Sequence, residues 1–190
     1  DPIDSMRTPF MVADASPVDV VYDAGSVNVD VAQLEAIGLA GHSPNQMGLL
    51  VDGVFFAADV VLPDAAIDKY RIPYLYSLTD HLAALNTAAA VEATYVVPGH
   101  GPHAEAITPL LERNRTVIRE TQELVLEVCR SPQRAADVMK AVLDGRGANV
   151  TDSPGYYLLQ PTIAAYLTHL TRTGHLSHEV RDNESIWLRA

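Results

Sequence analysis

The sequence predicts an α+β fold, with strands crowded into the first half of the chain and helices into the second. Two local patterns carry this reading. Leu49-Leu50-Val51 and Val54-Phe55-Phe56-Ala57 flank Asp52-Gly53, and Asp-Gly between apolar runs is among the stronger short-range signals of a β-hairpin. From Pro109 to Arg130, Leu110, Val117 and Leu124 recur every seven residues, as do Leu111, Ile118 and Val125. That spacing makes one long amphipathic helix. Composition sets the class: 190 residues, 48% apolar and 19% charged, are those of a soluble globular protein of one large or two small domains. The expected division is residues 1–107 and 108–190.

Taken in order, residues 1–16 read as loop. Pro17 to Tyr22 is a strand candidate, closed by an Asp23-Ala24-Gly25-Ser26 turn. Val27, Val29 and Val31 alternate with polar neighbours, and Leu34 to Leu39 continues an extended pattern. With the hairpin, about five strands are expected before residue 60. Pro63 to Pro73 reads as an irregular surface segment. Ser77 to Ala90 reads as a helix, with Leu78, Leu82, Leu85 and Ala89 on its apolar side, and Thr94 to Val97 as a buried strand. After the long helix, Gln133 to Leu143 is a short helix stopped at Asp144-Gly145. Pro154 suits the first turn of another helix, which runs to about Thr173, burying Leu158, Ile163, Tyr166, Leu167 and Leu170, and stops at Gly174. His175 to Val180 and Ser185 to Arg189 alternate as two strands around Asp182-Asn183-Glu184. Three helices followed by a hairpin is the order of a winged helix.

The hairpin has a chemical consequence. It brings the loop before its first strand and the end of its second strand to one edge of the sheet. His42, in Gly41-His42-Ser43-Pro44-Asn45-Gln46, and Asp59, in Phe55-Phe56-Ala57-Ala58-Asp59, are therefore expected side by side. Val96-Val97-Pro98-Gly99-His100-Gly101-Pro102 repeats the design of strand, turn and exposed His. Two imidazoles and a carboxylate converging on one rim are typical ligands for zinc or a similar metal. Cys129, at the end of the long helix, reads as a packing residue. His175 and His178 are spaced as a possible metal pair but fall on opposite faces of a strand, and are read as structural.

These three segments, in this order and spacing, resemble the metallo-β-lactamase-fold superfamily, whose members include hydroxyacylglutathione hydrolases, lactonases, nucleases and redox enzymes. The resemblance covers about residues 17–107. It implies that His42 is the third His of a first metal site, that Asp59 bridges two metals, and that His100 is the last His of a second site. It also implies an αββα sandwich of which this chain is the second half. Residues 108–190 resemble the winged-helix extension of a hydroxyacylglutathione-hydrolase-like subgroup. The family's His-x-His-x-Asp-His loop has no counterpart here. Asp80-His81 looks like its end, but the upstream His residues are missing and the pair falls inside a helix, so His81 is read as an ordinary helix residue. His103 is read as a solvated loop His. A chain shortened by truncation or proteolysis is the expected explanation, rather than a naturally degenerate homologue.

The resemblance implies a metal-dependent hydrolase of an ester, thioester, lactone or related small molecule. One or two ions, zinc or else iron or manganese, would lower the pKa of a bound water, with Asp59 bridging them and orienting the nucleophile. As it stands, the fragment is expected to be nearly inactive. The competing reading is a non-catalytic binding or dimerisation module that uses the winged helix. Nucleic acid is disfavoured as a partner. The presumed recognition helix from Pro154 to Thr173 has Arg172 as its only Lys or Arg, and phosphate binding needs several. Charge agrees, since residues 1–107 hold three Lys/Arg against fourteen Asp/Glu and so carry the whole formal net charge of −11. A homo-oligomer, or association with the missing half, is expected as cover for the apolar hairpin. One Cys fits a reducing compartment and a cytoplasmic location. No apolar run is long enough to span a membrane. Opening on Asp1, with no Met before Met6, suggests a leader or tag, or a cut from a longer protein.

Overall fold

The computed structural model describes residues 15–29 and 32–190. Most of the loop expected over residues 1–16, and Val31 of the alternating run, lie outside them. A five-stranded sheet is built from β1 (Gly25–Val29), β2 (Ala32–Gly38), β3 (Met47–Val51), β4 (Val54–Ala58) and β5 (Tyr95–Pro98), ordered as numbered. The first four form an antiparallel meander, and β5 joins β4 in parallel. Four described strands, not about five, thus precede residue 60. The missing one is Pro17 to Tyr22, which takes no regular structure. Its Val18, Val20, Val21 and Tyr22 are exposed. A β-propensity run without a neighbouring strand has no ladder to join.

The β3–β4 hairpin forms as its sequence requires. Asp52 (φ 49°) and Gly53 (φ 75°) are both left-handed, the signature of a two-residue type I′ turn. Leu50 pairs with Phe55 and Leu49 with Phe56, so the side chains alternate between the two faces of the sheet. Phe55, Ala57 and Val96 are buried against the helices. Leu49, Phe56 and Tyr95 remain 39%, 42% and 43% exposed.

Two helices connect β4 to β5. The first, α1 (Asp64–Tyr70), replaces the irregular segment expected between Pro63 and Pro73. It buries Ala66 and Ile67 in a small cluster with Leu62 and Val117, and Arg71 at φ 63° ends it. The second, α2 (Leu78–Ala89), starts at Ser77, whose Oγ accepts from the Asp80 N–H at 3.3 Å. That is an N-cap.

The remaining elements are α3 (Thr108–Val128), β6 (Gln133–Arg134), α4 (Ala135–Arg146), α5 (Ser153–Arg172), β7 (Leu176–Arg181) and β8 (Glu184–Arg189). The last three strands form a second sheet in the order β6-β8-β7. Helix α4 departs from expectation at both ends. Gln133-Arg134 pairs with β8 before the helix begins, and Gly145 lies inside the helix, which stops at left-handed Gly147. Helix α5 begins at Asp152, whose Oδ1 accepts from the Gly155 N–H at 2.7 Å, with Pro154 in its first turn. One core cluster runs from Phe55 and Val96 through Leu85 of α2 and Ile118 of α3 to Val142 of α4 and Tyr166 of α5. The strand-rich and helix-rich halves therefore share a single interior. Cys129 is buried there, and burial pushes its thiol up to about 11, as suits an inert packing residue. No helix among the described residues is long and apolar enough to cross a membrane.

Candidate metal centre

Strand direction decides what meets at one end of the sheet. The chain enters β3 where it leaves β4, because the two are antiparallel. It leaves β5 at that same end, because β5 is parallel to β4, with Ala58 opposite Pro98. His42 precedes β3, Asp59 follows β4 and His100 follows β5, and the three converge there. Asp59 Oδ2 lies 3.6 Å from His42 Nε2, and Asp59 Oδ1 lies 3.5 Å from His100 Nε2.

Each side chain is held by local structure. The register of β4 shifts between Phe56 and Ala58, and Ala58 adopts a left-handed φ of 48°. A non-glycine residue there carries strain of about 1–3 kcal/mol, and such residues gather at functional sites. The Gly99 N–H donates to the Ala58 carbonyl at 2.8 Å. A Cβ on Gly99 would stand 2.4 Å from Asp59 Oδ1, so only glycine leaves the carboxylate room. The loop of His42 is anchored through the Gly41 carbonyl, which accepts from the Tyr76 and Ser77 N–H groups at 2.9 Å each. Gly41 (φ 141°) presses so closely on α2 that a Cβ would come within 2.4 Å of the His81 backbone.

The electrostatics favour ligation by His42. Burial holds its imidazole below the usual value, opposed by the Asp59 charge and the Tyr74 backbone carbonyl, so the ring is neutral and keeps a lone pair at neutral pH. Asp59 Oδ1 is buried with no hydrogen-bond partner. Separations of 3.5 and 3.6 Å exceed those of N–H···O bonds. They are close to the roughly 3.3–3.5 Å between two ligands each bound about 2.0–2.2 Å from one tetrahedral ion. The donor chemistry and the orphaned oxygen thus fit a carboxylate shared between two ion positions, each with one imidazole. Among the described residues, no three His, Cys, Asp or Glu side chains are arranged to hold a single ion. The set is divided, not convergent on one point.

A cavity of about 410 Å³ opens over these residues, walled by Leu62, Tyr70, Tyr74 and Leu158. The Tyr74 ring meets His42 edge-on at 5.1 Å, and the Tyr70 ring lies 6.3 Å from that of His100. Leu62, Tyr70 and Tyr74 were not singled out from the sequence, and Leu158, expected among the buried residues of the last helix, is instead half-buried and lines the cavity. Asn114 of α3, which supports the turn after β4, was not singled out either. Its Oδ1 accepts from the Leu62 N–H at 3.1 Å, and its Nδ2 donates to the Leu62 and Leu110 carbonyls at 2.8 Å each. A lone Asn in the middle of an otherwise apolar seam is the only signal it gave.

The other histidines stand apart. His81 is a helix residue, yet far from a bland one. It is 3% exposed beneath the Gly41 turn, and burial, followed by repulsion from His42 when that ring is protonated, brings it down to about 4. His103 is exposed against the Tyr95 ring. His175 sits just outside β7 and meets Thr173 Oγ1 at 3.0 Å. His178 stacks on Trp187 and meets Ser185 Oγ at 2.7 Å.

No protein-family model matches the sequence, and no curated protein matches it. Solved structures do. A metallo-β-lactamase family protein from Thermus thermophilus aligns at a TM-score of 0.71 and 17% identity, over 90% of this chain and 54% of its own. A β-lactamase domain protein from Burkholderia ambifaria aligns at a TM-score of 0.75 and 21% identity, over 96% of this chain and 55% of its own. At such identities the likeness is one of fold. The chain spans about half the length of the structures it matches.

Proposed function

We propose that the protein is a metal-dependent hydrolase of small esters, thioesters or lactones, built on the metallo-β-lactamase fold. The observation that carries this reading is the placement of Asp59, with one carboxylate oxygen set toward each of two imidazoles at ligand spacing. When bound, an ion at this rim, zinc in our reading, would polarise the acyl carbonyl and make water a competent nucleophile near neutral pH. His42 and His100 would hold it through neutral nitrogens, and Asp59 would bridge the two positions and orient the water. Water adds to the acyl carbon, the acyl–oxygen or acyl–sulfur bond breaks, and a carboxylic acid and an alcohol or thiol leave. Tyr74 and Leu62 would exclude bulk water from the reacting face. The ligands that would complete each position belong, in this reading, to a half of the sandwich outside these 190 residues.

The helical region, which we read as winged-helix-like, serves as a wall of this site. Helix α5 buries Leu159, Ile163, Tyr166, Leu167 and Leu170 within the molecule, which leaves it poorly placed to enter a nucleic-acid groove.

The test is a cobalt(II) titration of the chain followed by ligand-field absorption. We expect weak, reversible binding, since each position has fewer than the four ligands usual for zinc. Asp59→Ala, His42→Ala and His100→Ala should abolish it and His103→Ala should not. Zinc retained stoichiometrically through dialysis would overturn the division of the ligands between two undersupplied positions, and equal losses in Asp59→Ala and His103→Ala would overturn the choice of ligands.

A further inference from the structure

Helix α5 begins more than fifty residues beyond the last of the three rim residues, yet it supplies one wall of the cavity over them. Leu158 lines that cavity, whereas its neighbour Leu159 is the one turned into the core. The placement of Leu158 is built in. One turn further along α5, buried Thr162 accepts the Leu75 N–H on its Oγ1 at 3.0 Å. Leu75 adjoins Tyr74, whose ring meets His42. A second tie, Thr79 Oγ1 to His169 Nδ1 at 2.9 Å, fixes the far end of the helix to α2. Leu158 is thereby registered against His42 through two short links.

The cavity's chemistry is one-sided. Apart from the rim residues its walls are Leu62, Tyr70, Tyr74 and Leu158, and no Lys or Arg among the described residues lines it. Two basic side chains on or against α1, the helix that carries Tyr70, already have partners. The Lys69 ammonium rests 4.7 Å over the Tyr70 ring and donates to its hydroxyl at 3.3 Å. The Arg113 guanidinium is held by Asp64 at 3.2 Å and Asp68 at 3.0 Å. The first 107 residues carry the whole formal net charge of −11, and no described Lys or Arg side chain lines the walls, so an anionic group would enter an acidic half of the chain against a mainly apolar surface.

We propose that this cavity takes the uncharged, apolar acyl portion of the substrate and rejects a carboxylate-bearing or phosphorylated one, with Leu158 as a specificity-determining residue. The assignment rests on the hydrolase reading for its reaction but not for its binding preference, and the two can be tested apart.

The probes are 4-methylacetophenone and 4-acetylbenzoate, which differ in a methyl group against a carboxylate. Their binding to the metal-free 190-residue chain is followed by chemical-shift changes of Tyr74 and His42. The neutral ketone should bind at least about tenfold more tightly, as expected when a small apolar group is traded for an unpaired charge in an apolar pocket. Leu158→Lys should equalise or invert the ratio. Leu158→Met, which keeps both wall and fold, should preserve it, and so should Lys69→Ala. Equal or tighter binding of the carboxylate by the wild type would overturn the proposal. A ratio unmoved in folded Leu158→Lys, or lost in Leu158→Met, would also overturn it. Failure of the cobalt titration alone would strike the hydrolase reading and leave this preference standing.

Discussion

At the scale of single residues, His81 makes the most quantitative prediction. Its folded imidazole stays uncharged until the pH falls to about 4, whereas the unfolded one takes its proton near 6.5. Between those values the unfolded state binds the extra proton, so stability falls as acid is added and the contribution is lost below the lower value. The depression corresponds to about 3 kcal/mol. Denaturant melts from pH 7 to pH 4 should show that loss in the wild type and a much smaller one in His81→Leu, in which no hydrogen bond to Nδ1 is sacrificed. Equal slopes would show that other groups govern the acid limb. The convergence of His42, Asp59 and His100 on one rim was legible in the sequence because turn signals lie within a few residues of each. The burial of His81 was not legible, because it comes from a turn forty residues earlier in the chain folding over α2.

Among the elements, agreement tracks how far each depends on its own residues. The β3–β4 hairpin, α2, α3 and the β7–β8 hairpin carry their caps, turns and periodicities within themselves, and they appeared where the sequence put them. Helix α1 is too short for a periodic pattern to declare itself, and its buried face exists only because α3 supplies Val117. Pro17 to Tyr22 fails in the opposite sense, with the composition of a strand but no ladder to join. Asn114 shows how α3 holds the turn that follows β4 and carries Asp59. Its amide satisfies both backbone groups of Leu62, and orphaned buried groups cost about 1–3 kcal/mol each. Asn114→Leu should therefore lower stability by about 2–4 kcal/mol and weaken cobalt binding beyond that of a control core variant matched for stability. Unchanged affinity in the folded variant would mean that Asp59 is held by β4 and Gly99 alone.

For the whole molecule, the outer face of the first sheet is the dominant feature, because although Val27 and Ala36 on it are buried, an apolar patch there stays exposed. Leu49 and Phe56 are cross-strand partners and both are exposed, with Tyr95 and Val29 also exposed on the same sheet. Monomeric proteins seldom leave apolar patches of several hundred Å² open. Covering about 500 Å² would contribute on the order of 10 kcal/mol before the cost of association. We expect the isolated chain to self-associate through this face or to hold a companion segment on it. Light scattering after size exclusion should give a mass above 20.5 kDa, and Phe56→Lys should reduce it. A clean monomer with no second peptide would show that the sheet tolerates water.

The parallel pairing of β4 with β5 also sets a timetable. Asp59 and His42 are neighbours through a hairpin, which closes within microseconds. His100 reaches the carboxylate only after the chain has closed a loop of about forty residues containing α1 and α2, and closure entropy delays such long-range contacts. During synthesis, the first imidazole–carboxylate pair would leave the ribosome before the second imidazole does. The rim is then born in two stages, and under the proposed reading a half-made chain would present an ion with His42 and Asp59 alone.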